Sequence, residues 1–194
     1  MNRKEVIEIS LRYFLLLLIA FLSVKYDLLY KIFTLLTVVP VRMILEQIYP
    51  NLQYIPAYDC LSQVAPALVL KGYYACIIDA CVAGAAYLFL LAFNLLTPMH
   101  IVKRVKSIAF LFATFLVLNI IRITVFIIMV NTGDQYFEII HEWTWKFFSI
   151  GVVVGLWFLN VWLFKIKSIP AYTDMYMIWQ DILGKKSRRK YGHS

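Results

Sequence analysis

A thiol, a guanidinium and an imidazole, carried by Cys81, Arg122 and His141, are the groups whose types and spacing suit chemistry. Arg122 is the single charge in the apolar run 107–130. An arginine at the centre of a membrane helix costs about 2.5–3.5 kcal/mol on insertion scales, so such a residue is functional by default. Asn119 stands three positions earlier, on the same helix face, and the two should point into a bundle rather than to lipid. Cys81 opens the apolar run 80–97, in the context Asp79-Ala80-Cys81-Val82-Ala83-Gly84. A thiol there feels the positive end of a helix dipole, which favours thiolate. His141 begins the segment His141-Glu142-Trp143-Thr144-Trp145 ahead of the run 147–164. Imidazoles suit general acid–base work near neutral pH. Taken singly, each has a plainer reading: a filler cysteine, a helix–helix hydrogen-bonding pair, and a histidine in an aromatic belt with Trp143 and Trp145. Together, thiol, imidazole and guanidinium are the parts of a cysteine acyl-transfer site. One His and one Cys without clustered carboxylates offer too few ligands for a metal, and nothing calls for a cofactor.

The elements that must position these groups are membrane helices. Of 194 residues, 62% are hydrophobic and 15% charged, against about 45–50% and 25% in soluble domains. Disorder, a disulfide scaffold and a nucleic-acid module are excluded. Uninterrupted apolar runs at 80–97, 107–130 and 147–164 are each about long enough for a ~30 Å hydrocarbon core. Residues 7–24 make a further span. Residues 28–48 read as a kinked span, or as an interfacial helix, because Lys31, Pro40 and Arg42 interrupt them. The expected fold is therefore all-α, a polytopic transmembrane helical bundle of about five spans, with residues 1–164 as one membrane domain and 165–194 as a basic tail. A cleavable signal peptide is not expected, since the first apolar stretch lacks a small-residue cleavage site.

Charge sets the expected orientation. Residues 99–106 carry +3 and the segment from Lys165 on carries +5, which accounts for the whole net charge of +8 without nucleic acid. Residues 131–146 carry −2. The basic segments should face the cytoplasm. Cys81, His141 and the external segment 49–79, a long loop ahead of the Cys-bearing helix, then face outward. Five spans put the N-terminus outside and four put it inside. Among the three external cysteines, a Cys60–Cys76 and a Cys76–Cys81 disulfide are both open.

At these residues the chain resembles the exosortase/archaeosortase family of membrane-embedded sorting enzymes. That family has a Cys at the start of one span, an Asn-x-x-Arg in the next and a His before the one after. Here these are Cys81, Asn119-Ile120-Ile121-Arg122 and His141, over residues 71–164, about half the chain. Many members follow the Cys with Ser-Gly, where this chain has Val82-Ala83-Gly84. The resemblance implies a cysteine protease or transpeptidase in the plasma membrane. Its substrates would be exported surface proteins that end in a short motif, a transmembrane helix and a basic cluster. It would cleave that signal and pass the protein to a membrane lipid or another acceptor. Cys81 would attack the scissile carbonyl, His141 would move the proton, Arg122 would stabilise thiolate or oxyanion charge, and Asn119 would support them. The competing expectation is a non-enzymatic transporter or channel subunit, with Arg122 as an ion or headgroup site. Inverted repeats and paired Gly/Pro-broken spans, the usual marks of transporters, are missing from the sequence.

Overall fold

A computed structural model describes residues 3–60, 63–144, 147 and 149–166. Trp145, Lys146 and all but the first two residues of the expected tail lie outside them. Two long helices come first, α1 (Arg3–Tyr26) and α2 (Leu28–Ile48), joined by Asp27 alone in the left-handed region at φ 53°. Pro40 does not end α2, which runs as one helix through it. Arg42, one of the residues that interrupt the apolar reading, donates to Glu46 one turn on at 2.6 Å, so much of its cost is met locally.

The segment 49–79, expected as a loop, contains a sheet, so the all-α expectation is too simple. Strands β1 (Gln53–Cys60), β2 (Gln63–Leu70) and β3 (Tyr73–Cys76) form an antiparallel meander in that order. Lys71 and Gly72, at φ 48° and 87°, make the two-residue turn whose twist suits a hairpin. Two prolines hide these strands from sequence reading, because proline in a strand argues against one. Pro56 sits where the β1–β2 register slips, between Ile55 and Tyr58. Pro66 lies opposite Ile77, one residue past the end of β3; its carbonyl accepts from the Ile77 N–H, and its missing N–H forgoes only the reciprocal bond to the Ile77 carbonyl. The Ile77 carbonyl instead accepts from the Tyr30 hydroxyl at 3.4 Å. A Cys60–Cys76 disulfide ties the two outer strands together across β2, where buried Ala65 and Ala67 leave room for it.

Next come α3 (Asp79–Val82) and α4 (Gly84–Leu96), separated by Ala83 at φ 57°. The single Cys-bearing span expected over 80–97 is thus broken after its first turn. Helix α5 (Ile101–Thr132) is the longest, at 32 residues, and ends on left-handed Gly133. Short α6 (Phe137–Trp143) and α7 (Ser149–Leu163) complete the described chain. Four stretches, α1, α2, α3–α4 and α5, are long and apolar enough to cross a membrane, while α7 is apolar but has 15 residues. At 1.5 Å per residue it reaches about 22 Å.

Inside, α2, α4, α5 and α7 pack around Val41, Leu45, Tyr87, Leu90 and Leu111, all fully buried, with Phe33 stacked on Tyr87 at 3.6 Å between ring centroids. Outward-facing apolar side chains such as Leu11, Phe14 and Leu17 of α1 suit contact with lipid. Polar groups hold the other end of the bundle. Arg104, in the loop expected to set topology, lies in the first turn of α5 and is 7% exposed. Its guanidinium donates to the carbonyls of Asn94, Leu95 and Thr97 at 2.9–3.1 Å, satisfying acceptors that the end of α4 leaves free. Beside it Ser107 accepts from Asn94 and donates to Asn160, linking α4, α5 and α7 through three fully buried side chains.

Candidate active site

Cys81 owes its position to the sheet before it and the helix break after it. Ile78 is extended and leads out of β3, and the Cys81 N–H closes the first turn of α3 on the Ile78 carbonyl at 2.8 Å. Left-handed Ala83 then stops the helix, so α3 is one turn long. This corrects the helix-terminus argument for the thiol. A single turn sums few peptide dipoles, and α4 proper begins only at Gly84. The break has a second effect. The Cys81 carbonyl finds no helical partner and takes two side-chain donors from α5 instead. Asn119 Nδ2 donates to it at 2.9 Å and Arg122 Nη2 at 3.0 Å.

Asn119 and Arg122 therefore do share one inward face, and their common target is a main-chain oxygen. Arg122 also donates through Nη1 to Ser149 Oγ at 3.2 Å, and Ser149 in turn donates to the Thr144 carbonyl at 2.9 Å. One guanidinium thus spans α3, α5 and the start of α7. Its Nε is buried with no hydrogen-bond partner among the described residues. The Cys81 thiol, half-buried and free, points back to the Cys76 carbonyl at 3.7 Å.

His141 sits on α6, exposed, with its ring against Phe126 at 5.2 Å and Phe137 at 5.4 Å between centroids. Among the described residues it makes no side-chain hydrogen bond to Cys81 or Arg122. All three groups nevertheless line one cavity of about 440 Å³, together with Tyr74, Cys76 and Phe137. Asn119 lies outside that lining and reaches the site only through the Cys81 backbone. A second cavity, about 850 Å³, lies on the other side of Arg122 and is edged by Asp27, Tyr30, Asp79 and Ser149. Ala80 and Arg122 belong to both walls.

Sequence reasoning missed three contributors. Ser149 carries no signal in an apolar run. Tyr74 and Cys76 lie in strands hidden by the prolines, although Lys71-Gly72 between two apolar runs is a turn signal that was there to be read. In geometry the site offers a free thiol, an imidazole and a half-buried cation around an apolar hollow. Those are groups able to accept an acyl unit, move a proton and balance negative charge. No protein-family model, no curated protein and no solved structure matches this chain.

Proposed function

We propose that this protein is a multi-pass plasma-membrane cysteine protease or transpeptidase of the exosortase/archaeosortase type, with its site facing away from the cytoplasm. The observation that carries this reading is the convergence of Cys81, Arg122 and His141, from three separate elements, on one cavity. In the proposed reaction the thiol passes its proton to His141, and the Cys81 sulfur adds to the scissile carbonyl carbon. The carbon–nitrogen bond breaks, the leaving amine takes the proton from the imidazole, and a thioester to Cys81 remains. A nucleophile of the acceptor, a membrane lipid or water, then attacks the thioester carbonyl, the carbon–sulfur bond breaks, and the nucleophile's proton passes through His141 to restore the Cys81 thiol. His141 packs on Phe126 and Phe137 and has to turn toward the thiol in this reaction, as catalytic hydrogen bonds commonly tighten only in the complex.

Arg122 and Asn119 take partly different roles from those implied by the resemblance. Both hold the Cys81 carbonyl, so they are positioning residues for the nucleophile, and the unpartnered Nε of Arg122 remains as a donor for developing charge. Substrates in this reading are exported proteins that end in a motif, a membrane helix and a basic cluster. Five crossings, with α7 as the last, keep the basic segments in the cytoplasm.

One observation favours the competing reading of a transporter or channel subunit: Arg122 lines cavities on both of its sides, as a residue on a permeation path would. A co-expressed exported reporter, ending in a motif–helix–basic tail from the same genome, separates the two by its mobility on a gel. Cys81→Ala should leave the reporter uncleaved. The double variant Cys60→Ser/Cys76→Ser should still cleave it, at reduced thermal stability, since a disulfide closing a loop of this size contributes about 3 kcal/mol. Cleavage by Cys81→Ala at the wild-type level removes the enzyme reading.

A further inference from the structure

The free edge of the small sheet ends at the thiol. In an antiparallel ladder, successive residues turn their N–H and C=O alternately toward and away from the partner strand. The Ile77 N–H donates to the Pro66 carbonyl at 2.8 Å, which fixes the parity of the β2–β3 pairing. Ala75 and Tyr73 therefore bond to β2 at Leu68 and Leu70, and Tyr74 and Cys76 turn their backbone groups outward. That outer edge is unpaired by any strand among the described residues, since β3 is last in the order. Where that edge meets the site, its outward Cys76 carbonyl accepts from the Cys81 thiol at 3.7 Å. Tyr73, Tyr74, Ala75 and Cys76 all line the same cavity as Cys81 and His141.

We infer that the protein substrate docks as an added strand on the outer edge of β3, with its scissile peptide carried past Cys81. This rests on the proposed acyl transfer and says how the peptide is held. A substrate N–H would donate to the Cys76 carbonyl and a substrate carbonyl would accept from the Cys76 N–H, with a second pair of bonds two residues away at Tyr74. Main-chain pairing of this kind gives affinity with little demand on side chains, which the neighbouring apolar hollow would read. It also sets the thiol free, because the incoming N–H replaces the Sγ–H on the Cys76 carbonyl. The Cys60–Cys76 disulfide fits this role. It fixes the edge strand against β1 at the residue where the peptide would pair. An unpaired strand edge is otherwise a liability that proteins cover or blunt.

Proline substitution at Tyr74 tests the edge itself, since it removes an outward N–H while the bonds of β3 to β2 stay intact. Tyr74→Ala is the matched control, because both variants lose the stacking of Tyr74 on Tyr58. With the reporter described above, Tyr74→Pro should cut processing about tenfold, the loss expected for one hydrogen bond left unmade. That loss is read relative to Tyr74→Ala, which lacks the same cavity-lining ring but keeps the outward N–H. Equal activity in the two variants, high or low, overturns the docking inference. Maleimide labelling of Cys81 at the wild-type rate shows that the proline variant is folded. Should it not fold, hydrogen exchange decides the matter in Cys81→Ala protein purified with the uncleaved reporter. The Tyr74 and Cys76 amides should slow on binding while Ala75, already bonded to β2, does not change; unslowed Tyr74 and Cys76 amides overturn the inference. The failures are distinct. A Cys81→Ala enzyme that still cleaves refutes the acyl-transfer reading, whereas a dead Cys81→Ala beside a fully active Tyr74→Pro refutes only the docked strand.

Discussion

Arg122 uses its two terminal nitrogens on different partners, the Cys81 carbonyl and Ser149, and that geometry decides how a conservative change there behaves. A lysine ammonium keeps the charge but has no planar fork to span α3 and the start of α7. Arg122→Lys should therefore lose most reporter processing, and the Cys81 thiol should remain accessible to small reagents. Activity equal to wild type would make Arg122 a point charge. The residue pattern itself was legible: a lone charge in an apolar run, with Asn119 three positions before it. Its target was not. The acceptor is a backbone oxygen that exists as a free group only because α3 stops at Val82, and no side-chain pattern announces that.

At the scale of elements, the break at Ala83 is the feature on which the site turns. A non-glycine residue in the left-handed region is strained by about 1–2 kcal/mol, because its Cβ crowds the following carbonyl. Ala83→Gly should relieve that strain and keep activity, with stability held or raised by up to about 1 kcal/mol. Ala83→Val places a branched side chain where φ is 57° and should lose both stability and processing. Thermal unfolding in detergent, paired with the reporter assay, checks both. A valine variant as sound as the glycine one would show that the break does not matter. Sequence gave α3 and α4 as one span because apolarity runs straight through Ala83, and apolarity carries no record of a single backbone angle. Arg104 teaches the same lesson with opposite sign. Its charge reads as a topology signal, yet its guanidinium is buried on the last carbonyls of α4.

For the whole molecule, orientation is the quantity on which the proposed activity depends. Arg104 is buried, so the positive charge of segment 99–106 is carried to the surface by Lys103 and Lys106, and the bias toward the cytoplasm stands on these and on the tail. In cells, an impermeant maleimide should label single cysteines introduced at 131–138 from outside. It should reach cysteines introduced after Lys165 only once the membrane is permeabilised. Labelling of the tail on intact cells would put Cys81 and His141 in the cytoplasm, away from exported substrates, and the sorting reading would fall.

What the sequence determined by itself is what short-range physics fixes. The apolar runs found their helices within a few residues, since each must satisfy its own backbone and meet lipid or core along its length. Asn119 and Arg122 fell on one face because helical periodicity leaves no alternative. Tertiary structure decided everything that needs a second segment. Three strands became a sheet around two prolines because the missing N–H of Pro66 meets the end of β3, and Cys60 took Cys76 because the sheet set them on its two outer strands. It left Cys81 free and brought it into one cavity with His141 from α6, 60 positions along the chain. Such pairings depend on how distant surfaces pack and which buried groups find partners, and that information is shared among segments rather than written in any one of them.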